Sequence, residues 1–251
     1  MTRTLGPRGT AGYDPTRFPA FAVTVDVVIF SMAGGELQVL LVERGVSPFL
    51  GAWALPGGFK RPDETLDEAA RRELVEETGL GEAGNLRQLG AYGDPERDPR
   101  MNVVTVAYLA VLPEVIDVIA GTDAAVAAWV RVSDVLEEEI ELAFDHASII
   151  SDAASRVRID LERTDLAIAF VGSTFTLAQL RAVYEAVWDA RLGAANFRRR
   201  LVTESGWVVP TGRLAPPGSA GGKPAELYRA GARWRHGAPL RRPNEKGRKT
   251  R

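Results

Sequence analysis

Nine residues spread over Gly58–Leu80 constrain this chain more than any other stretch: Gly58, Glu64, Arg72, Glu73, Leu74, Glu76, Glu77, Gly79 and Leu80. Charged and apolar residues interleave from Leu66 to Thr78, which predicts a helix, and Gly79 ends it as the residue past the C-cap. On that helix Glu73, Glu76 and Glu77 fall at i, i+3 and i+4, so their carboxylates share one face. Like charges so close repel one another unless a cation gathers them, and an all-oxygen donor set favours Mg²⁺ or Mn²⁺. Arg72 can pair with one of these carboxylates and hold its rotamer. Gly57 and Gly58 let the backbone approach the start of the helix. Ala70 and Leu74, again at i, i+4, supply the face that packs on a sheet.

The flanking sequence supplies that sheet. Phe21–Ser31 is apolar and β-branched, Ala33-Gly34-Gly35 has turn chemistry, and Leu37–Glu43 reads as the returning strand. Leu86–Tyr92, Met101–Leu112 and Ala127–Val132 read as further strands. Strands interrupted by one strong helix predict an α+β sandwich.

The net charge of −2 conceals an asymmetry. Residues 1–160 hold 14 Lys+Arg against 26 Asp+Glu, a balance of −12, and residues 161–251 hold 17 against 7, a balance of +10. Two modules with different partners are expected. In the basic half, Phe175-Thr176-Leu177-Ala178-Gln179 carries a capping box that opens a helix. Leu192-Gly193 makes a turn, and Ala195–Glu204 reads as a short helix bearing Arg198, Arg199 and Arg200. Trp207-Val208-Val209 and Leu227-Tyr228 read as strands around a Pro/Gly-rich loop. This is the order of a winged helix-turn-helix. The arginine-bearing helix would enter a major groove, with Asn196, Arg198, Arg199 and Arg200 facing DNA and Lys223 meeting the flanking backbone.

The domains expected are a flexible tail over 1–18, a sandwich domain over 19–143, a linking helix over 144–170, a winged helix-turn-helix over 171–232 and a basic disordered tail over 233–251. No apolar run reaches the roughly 20 residues of a membrane span. With no cysteine there is no disulfide framework or thiolate metal site, and a cytoplasmic protein is expected.

The nine positions of the Gly58–Leu80 stretch resemble the Nudix box, and the resemblance extends over about residues 20–142. It implies a Nudix α/β/α sandwich that binds a nucleoside diphosphate linked to another group, and hydrolysis by metal-assisted attack of water on phosphorus. Carried over by position, it makes Glu73, Glu76 and Glu77 metal ligands and Glu64 an outer ligand or structural partner. Arg72 becomes an orienting ion pair, and Glu76, Glu77 and Arg72 the catalytic group. The loop Gly93-Asp94-Pro95-Glu96-Arg97-Asp98-Pro99-Arg100 resembles that of Nudix proteins that recognise ADP-ribose, with Arg97 and Arg100 able to clamp phosphate beside Gly57 and Gly58. The resemblance implies one more catalytic carboxylate, for which Glu137, Glu138 and Glu139 are candidates.

Phe175–Tyr228 resembles the C-terminal winged helix of the NrtR regulators of NAD metabolism, through Phe175-Thr176-Leu177, Tyr184-Glu185, Asn196-Phe197-Arg198-Arg199, Thr211-Gly212 and Lys223-Pro224-Ala225. Two readings stay open at this point. One is a homodimeric repressor that binds operator DNA and senses ADP-ribose or a related nucleotide, with little or no turnover. The other is an ADP-ribose pyrophosphatase, alone or bifunctional with the regulator role, since the box departs from the pattern nowhere.

Overall fold

In the computed structural model, residues 14, 17, 19–79, 86–115, 124–216, 224–232 and 240–243 are described. Lys223 and most of the two expected tails lie outside them. β1 (Ala22–Ala33) turns at Gly34 and Gly35, both at positive φ, and returns as β2 (Glu36–Arg44). β3 (Trp53–Ala54) pairs with β2, and β4 (Gly57–Phe59) pairs with β1. β5 (Arg87–Tyr92) pairs with β6 (Val103–Val111), which runs parallel to β1. β7 (Ala124–Arg131) closes the far side against β2. The result is a mixed sheet whose central strand, β1, is buried from Thr24 to Ser31 because both faces are covered.

Side chains alternate across a strand, so β1 divides its residues between two layers. Val25, Val27 and Ile29 meet Ala69, Ala70 and Leu74 of helix α1 (Leu66–Thr78). Thr65 and Glu68 form a capping box at its start, and Gly79, at φ 71°, ends it. Val28 and Phe30 face the opposite layer, where α2 (Val132–Leu136) and α3 (His146–Arg163) pack.

The expected linking helix is therefore part of a core. Ile149, Ile150, Ala153, Val157 and Leu161 of α3 share one apolar cluster with the sheet and with the C-terminal unit. That unit comprises α4 (Leu166–Ala169), β8 (Phe175–Thr176), α5 (Leu177–Trp188), α6 (Ala194–Arg198), β9 (Val208–Leu214) and β10 (Glu226–Ala230). Its three strands lie in the order β8-β10-β9, and Tyr184 packs edge-on against Trp188 and Phe197 at 4.8 and 5.8 Å. Among the described residues no helix is long and apolar enough to cross a membrane.

One local expectation changes. Ala195–Glu204 reads as a single α-helix, but α6 ends at Arg198 and continues as a π-helical turn over Arg199–Glu204. Ser205 supports the wider turn, its Oγ reaching the carbonyls of Arg200 at 2.7 Å and Leu201 at 3.1 Å. Leu201 stays buried while Arg199 remains exposed.

Candidate functional site

A cleft of about 450 Å³ opens between the start of β4, the charged face of α1, the end of β2 and the Gly93–Arg100 loop. Its acidic wall is organised by one guanidinium. Arg72 donates to Glu64 through Nε and Nη2 (3.0 and 2.7 Å), and through Nη1 to Glu73 and Glu76 (2.5 and 3.0 Å). Arg72 thus pairs with three carboxylates rather than the single partner expected from sequence. Its hydrogen bonds hold Glu64 well below the usual carboxylate range, at about 2. Burial pushes Glu73 the other way, against the pull of Arg72.

Both glycines before α1 sit where a side chain has no room. A Cβ on Gly57 would lie 2.3 Å from the Val25 carbonyl oxygen, and one on Gly58 would lie 2.4 Å from Glu73 Oε1. The Gly57 N–H donates to Glu77 Oε2 at 3.0 Å, which anchors that carboxylate at the cleft. The donor chemistry of Glu73, Glu76 and Glu77 fits a hard divalent cation. Among the described residues, no three acidic or imidazole side chains form a ready-made metal-holding group. With Arg72 Nη1 between Glu73 and Glu76, a cation has to compete with that guanidinium for its ligands.

The two arginines expected as a clamp both line the cleft but differ sharply. Arg97 is buried, paired with Asp145 at 2.6 Å and facing Asp26 at 3.6 Å. Arg100 keeps 40% of its side chain exposed while pairing with Asp98 at 2.7 Å. None of Glu137, Glu138 and Glu139 lines the cleft.

Asp26, Asp98, Asp145, Arg44 and Phe144 were missed as site residues. Only Asp26 carried a readable signal: a lone acid within an apolar strand needs a buried partner. Arg97 faces it on one side and His146 on the other. His146 accepts the Leu55 N–H on Nδ1 at 2.9 Å, so its proton sits on Nε2, 3.5 Å from Asp26.

Burial lowers the His146 pKa, and this is the largest influence on it. The folded protein therefore holds the imidazole neutral more strongly than the unfolded chain does. That contribution to stability is complete above the ordinary histidine value of about 6.5 and is lost as the pH falls below it. Urea midpoints at pH 7.5 and 5.5 should differ in that direction, and His146→Asn should shrink the difference. An unchanged pH response in the variant would show that the loss arises elsewhere.

On the C-terminal unit the expected DNA-facing residues lie together on α6 and its extension. Arg199 donates to Asn196 Oδ1 at 2.7 Å and pairs with Glu204. Arg198 pairs with the Tyr228 hydroxyl and, at 3.5 Å, with Glu226. Their side chains are 54% and 56% exposed for Arg198 and Arg199, and Arg200 is half-buried.

The comparisons with known proteins agree with this two-part build. Residues 20–153 match the NUDIX domain, and residues 167–230 match the NrtR DNA-binding winged helix domain. The chain is 36% identical over 221 residues to the ADPR responsive transcriptional repressor NtrR of Acinetobacter baylyi, covering 87% of this chain and 86% of that protein. It resembles the crystal structure of Shewanella oneidensis NrtR complexed with a 27mer DNA, with a TM-score of 0.71, 31% identity, and coverage of 88% of this chain and 99% of that one. The NUDIX domain of Shewanella oneidensis NrtR complexed with ADP ribose matches at a TM-score of 0.53 and 39% identity, covering 59% of this chain and 95% of that one. The chain therefore belongs to the Nudix family, in the NrtR branch that joins a NUDIX domain to a DNA-binding winged helix.

Proposed function

We propose that this chain is a DNA-binding transcriptional repressor of NAD metabolism genes that senses ADP-ribose, or a related NAD-derived nucleotide, in its Nudix cleft. The observation that carries the reading is the course of α3. Its N-cap, Asp145, pairs with Arg97 in the cleft wall. At its other end Arg158 is tied to α5: Trp188 Nε1 donates to the Arg158 carbonyl at 3.2 Å, and Arg158 Nε donates to the Val187 carbonyl at 3.2 Å. One rigid helix thus touches both the nucleotide cleft and the winged helix. A ligand that favours one placement of α3 shifts the placement of the DNA-facing helix. The names of the NtrR and NrtR relatives support the same pair of partners. A homodimer reading two half-sites completes the proposal.

In the cleft, Glu73, Glu76 and Glu77 would hold Mg²⁺ or Mn²⁺. That ion would neutralise the diphosphate and polarise its phosphorus–oxygen bonds. Gly57 and Gly58 shape the approach of the backbone, and Arg61 and Arg100, 58% and 40% exposed, are cleft arginines open enough to meet a phosphate oxygen.

A gel shift with the chain's own upstream DNA tests this reading. Specific binding is expected, and ADP-ribose is expected to relieve it. Absence of specific binding would sink the repressor reading. Arg199→Ala should weaken the complex by about 1–3 kcal/mol if it meets a base, and leave ADP-ribose binding unchanged. A variant that shifts DNA like the wild type removes Arg199 from the interface.

The second reading, an ADP-ribose pyrophosphatase, is favoured by one observation: Glu73, Glu76 and Glu77 all line one cleft, with Glu77 anchored by the Gly57 N–H at 3.0 Å. Rapid metal-dependent release of AMP, lost in Glu77→Gln, would make hydrolysis the primary activity.

A further inference from the structure

The two exposed arginines at the end of α6 are not equivalent. Arg199 uses both terminal nitrogens on its own helix, donating to Asn196 Oδ1 at 2.7 Å and to Glu204. The second contact is a product of the wider turn. In an α-helix residues i and i+5 stand about 140° apart around the axis. The π-helical turn over Arg199–Glu204 brings them together.

Arg198 reaches outside its helix instead. Its Nη1 donates to the Tyr228 hydroxyl and lies 3.5 Å from Glu226 Oε2, to which that hydroxyl donates in turn. The guanidinium carbon sits 5.8 Å from the centre of the Tyr228 ring. Among the described residues no acceptor bonds its Nε or Nη2, and 54% of the side chain is exposed. The anchor is rigid. β10 is the central strand of its sheet, with Tyr228 opposite Phe175 on one side and Pro210 on the other. Tyr228 is 2% exposed, so its ring belongs to the core while its hydroxyl meets the helix. Glu226 and Tyr228 stand at i and i+2, the spacing that turns two strand side chains to one face, and both meet Arg198.

We infer that Tyr228 and Glu226 are positioning residues that set sequence specificity: they hold Arg198 by one nitrogen so that its remaining edge meets a guanine of the operator. The inference rests on the DNA-binding reading above and names the arginine that reads. Guanine offers O6 and N7 together, which match two N–H groups of one guanidinium. A long side chain normally loses rotamer freedom when it binds, and one already fixed loses less. An acid on a DNA-facing surface repels phosphate whatever the sequence, so Glu226 adds nothing to general affinity. Its contribution lies in the difference between the right base and the wrong one.

Fluorescence anisotropy with the full-length protein tests the assignment. The probes are the chain's own upstream duplex and a scrambled duplex of equal length and composition. Glu226→Gln keeps the size of the side chain and removes its charge. Tyr228→Phe keeps the buried ring and removes the hydroxyl. Each should lower the preference for the upstream duplex about tenfold. The loss should fall on the upstream duplex, while affinity for the scrambled one holds or, in Glu226→Gln, rises. The salt slope of Tyr228→Phe should match wild type, because Arg198 keeps its charge. In an Arg198→Ala background, Glu226→Gln should not lower the preference further, since the group it positions is gone. Glu226 is 41% exposed, so its variant keeps the test open should Tyr228→Phe fail to fold. An unchanged preference in Glu226→Gln, or full additivity with Arg198→Ala, overturns the inference and leaves the repressor reading intact. A preference that rises in Glu226→Gln makes the acid a mask on Arg198 and overturns it as well. Wild type with no preference for its own duplex overturns the repressor reading, and this inference with it.

Discussion

Arg97→Ala should be among the most damaging single changes in the chain, costing about 3–5 kcal/mol of stability. The Arg97 side chain is 4% exposed and lies between two carboxylates, Asp145 at 2.6 Å and Asp26 at 3.6 Å. Removing it leaves Asp26, 9% exposed, and Asp145, 22% exposed, without their shared cation. His146 cannot compensate without taking up a proton, which its burial opposes. For a chain of this size the loss should lower the melting temperature on the order of 10 °C. Arg100→Ala provides the contrast. Its partner Asp98 is buried, but the Arg100 side chain is 40% exposed and the hydrogen bond from the Arg100 backbone N–H to Asp98 at 2.9 Å survives the substitution, so the loss should be smaller than at Arg97. Asp145→Asn combined with Arg97→Ala should recover part of the damage, because one of the two unpaired charges is then gone. A melting curve for Arg97→Ala within a degree or two of wild type would mean that water reaches Asp26 and Asp145 and that the pair is not a structural tie.

That contrast also marks the limit of what the sequence made legible. Arg97 and Arg100 stand three residues apart in one loop, and their composition assigns them the same phosphate-clamping role. What separates them is a partner 48 residues further on, Asp145, which only the packing of α3 against the sheet brings near. By contrast, the span of α1, its i, i+4 packing face and its terminating Gly79 were readable, because each is set by neighbours within one or two turns. The capping box at Thr176 was readable for the same reason. The π turn after Arg198 was not, because an i→i+5 ladder leaves no mark in the hydrophobic pattern. Phe144 was equally opaque: nothing in its neighbourhood announces a phenylalanine at positive φ. The acidic half of the cleft follows local rules, and the aromatic and buried-arginine half follows tertiary ones.

The two glycines at the mouth of α1 should respond differently to the same added methyl group, and Gly57→Ala should be the worse. A Cβ at Gly57 meets the Val25 carbonyl oxygen at 2.3 Å and Asp26 Oδ1 at 2.5 Å. The first of these is backbone of the central strand, to which Gly57 is paired through Asp26, so it cannot swing aside. Relief requires β4 to lift off β1. That movement pulls the Gly57 N–H from Glu77 and disturbs Asp26, the acid between Arg97 and His146. A loss on the order of 3 kcal/mol is expected, together with weakened divalent metal binding. At Gly58 the intruding methyl meets the carboxylate end of Glu73, at 2.4 Å. A side-chain end can rotate, so Gly58→Ala should cost less stability. The rotation takes Glu73 away from Arg72 and from its position beside Glu76, and metal affinity should fall even so. Thermal melts paired with Mn²⁺ titration separate the two outcomes. Equal loss of stability in both variants would mean that Glu73 is as rigidly held as the backbone. Full metal affinity in Gly58→Ala would remove Glu73 from the ligand set.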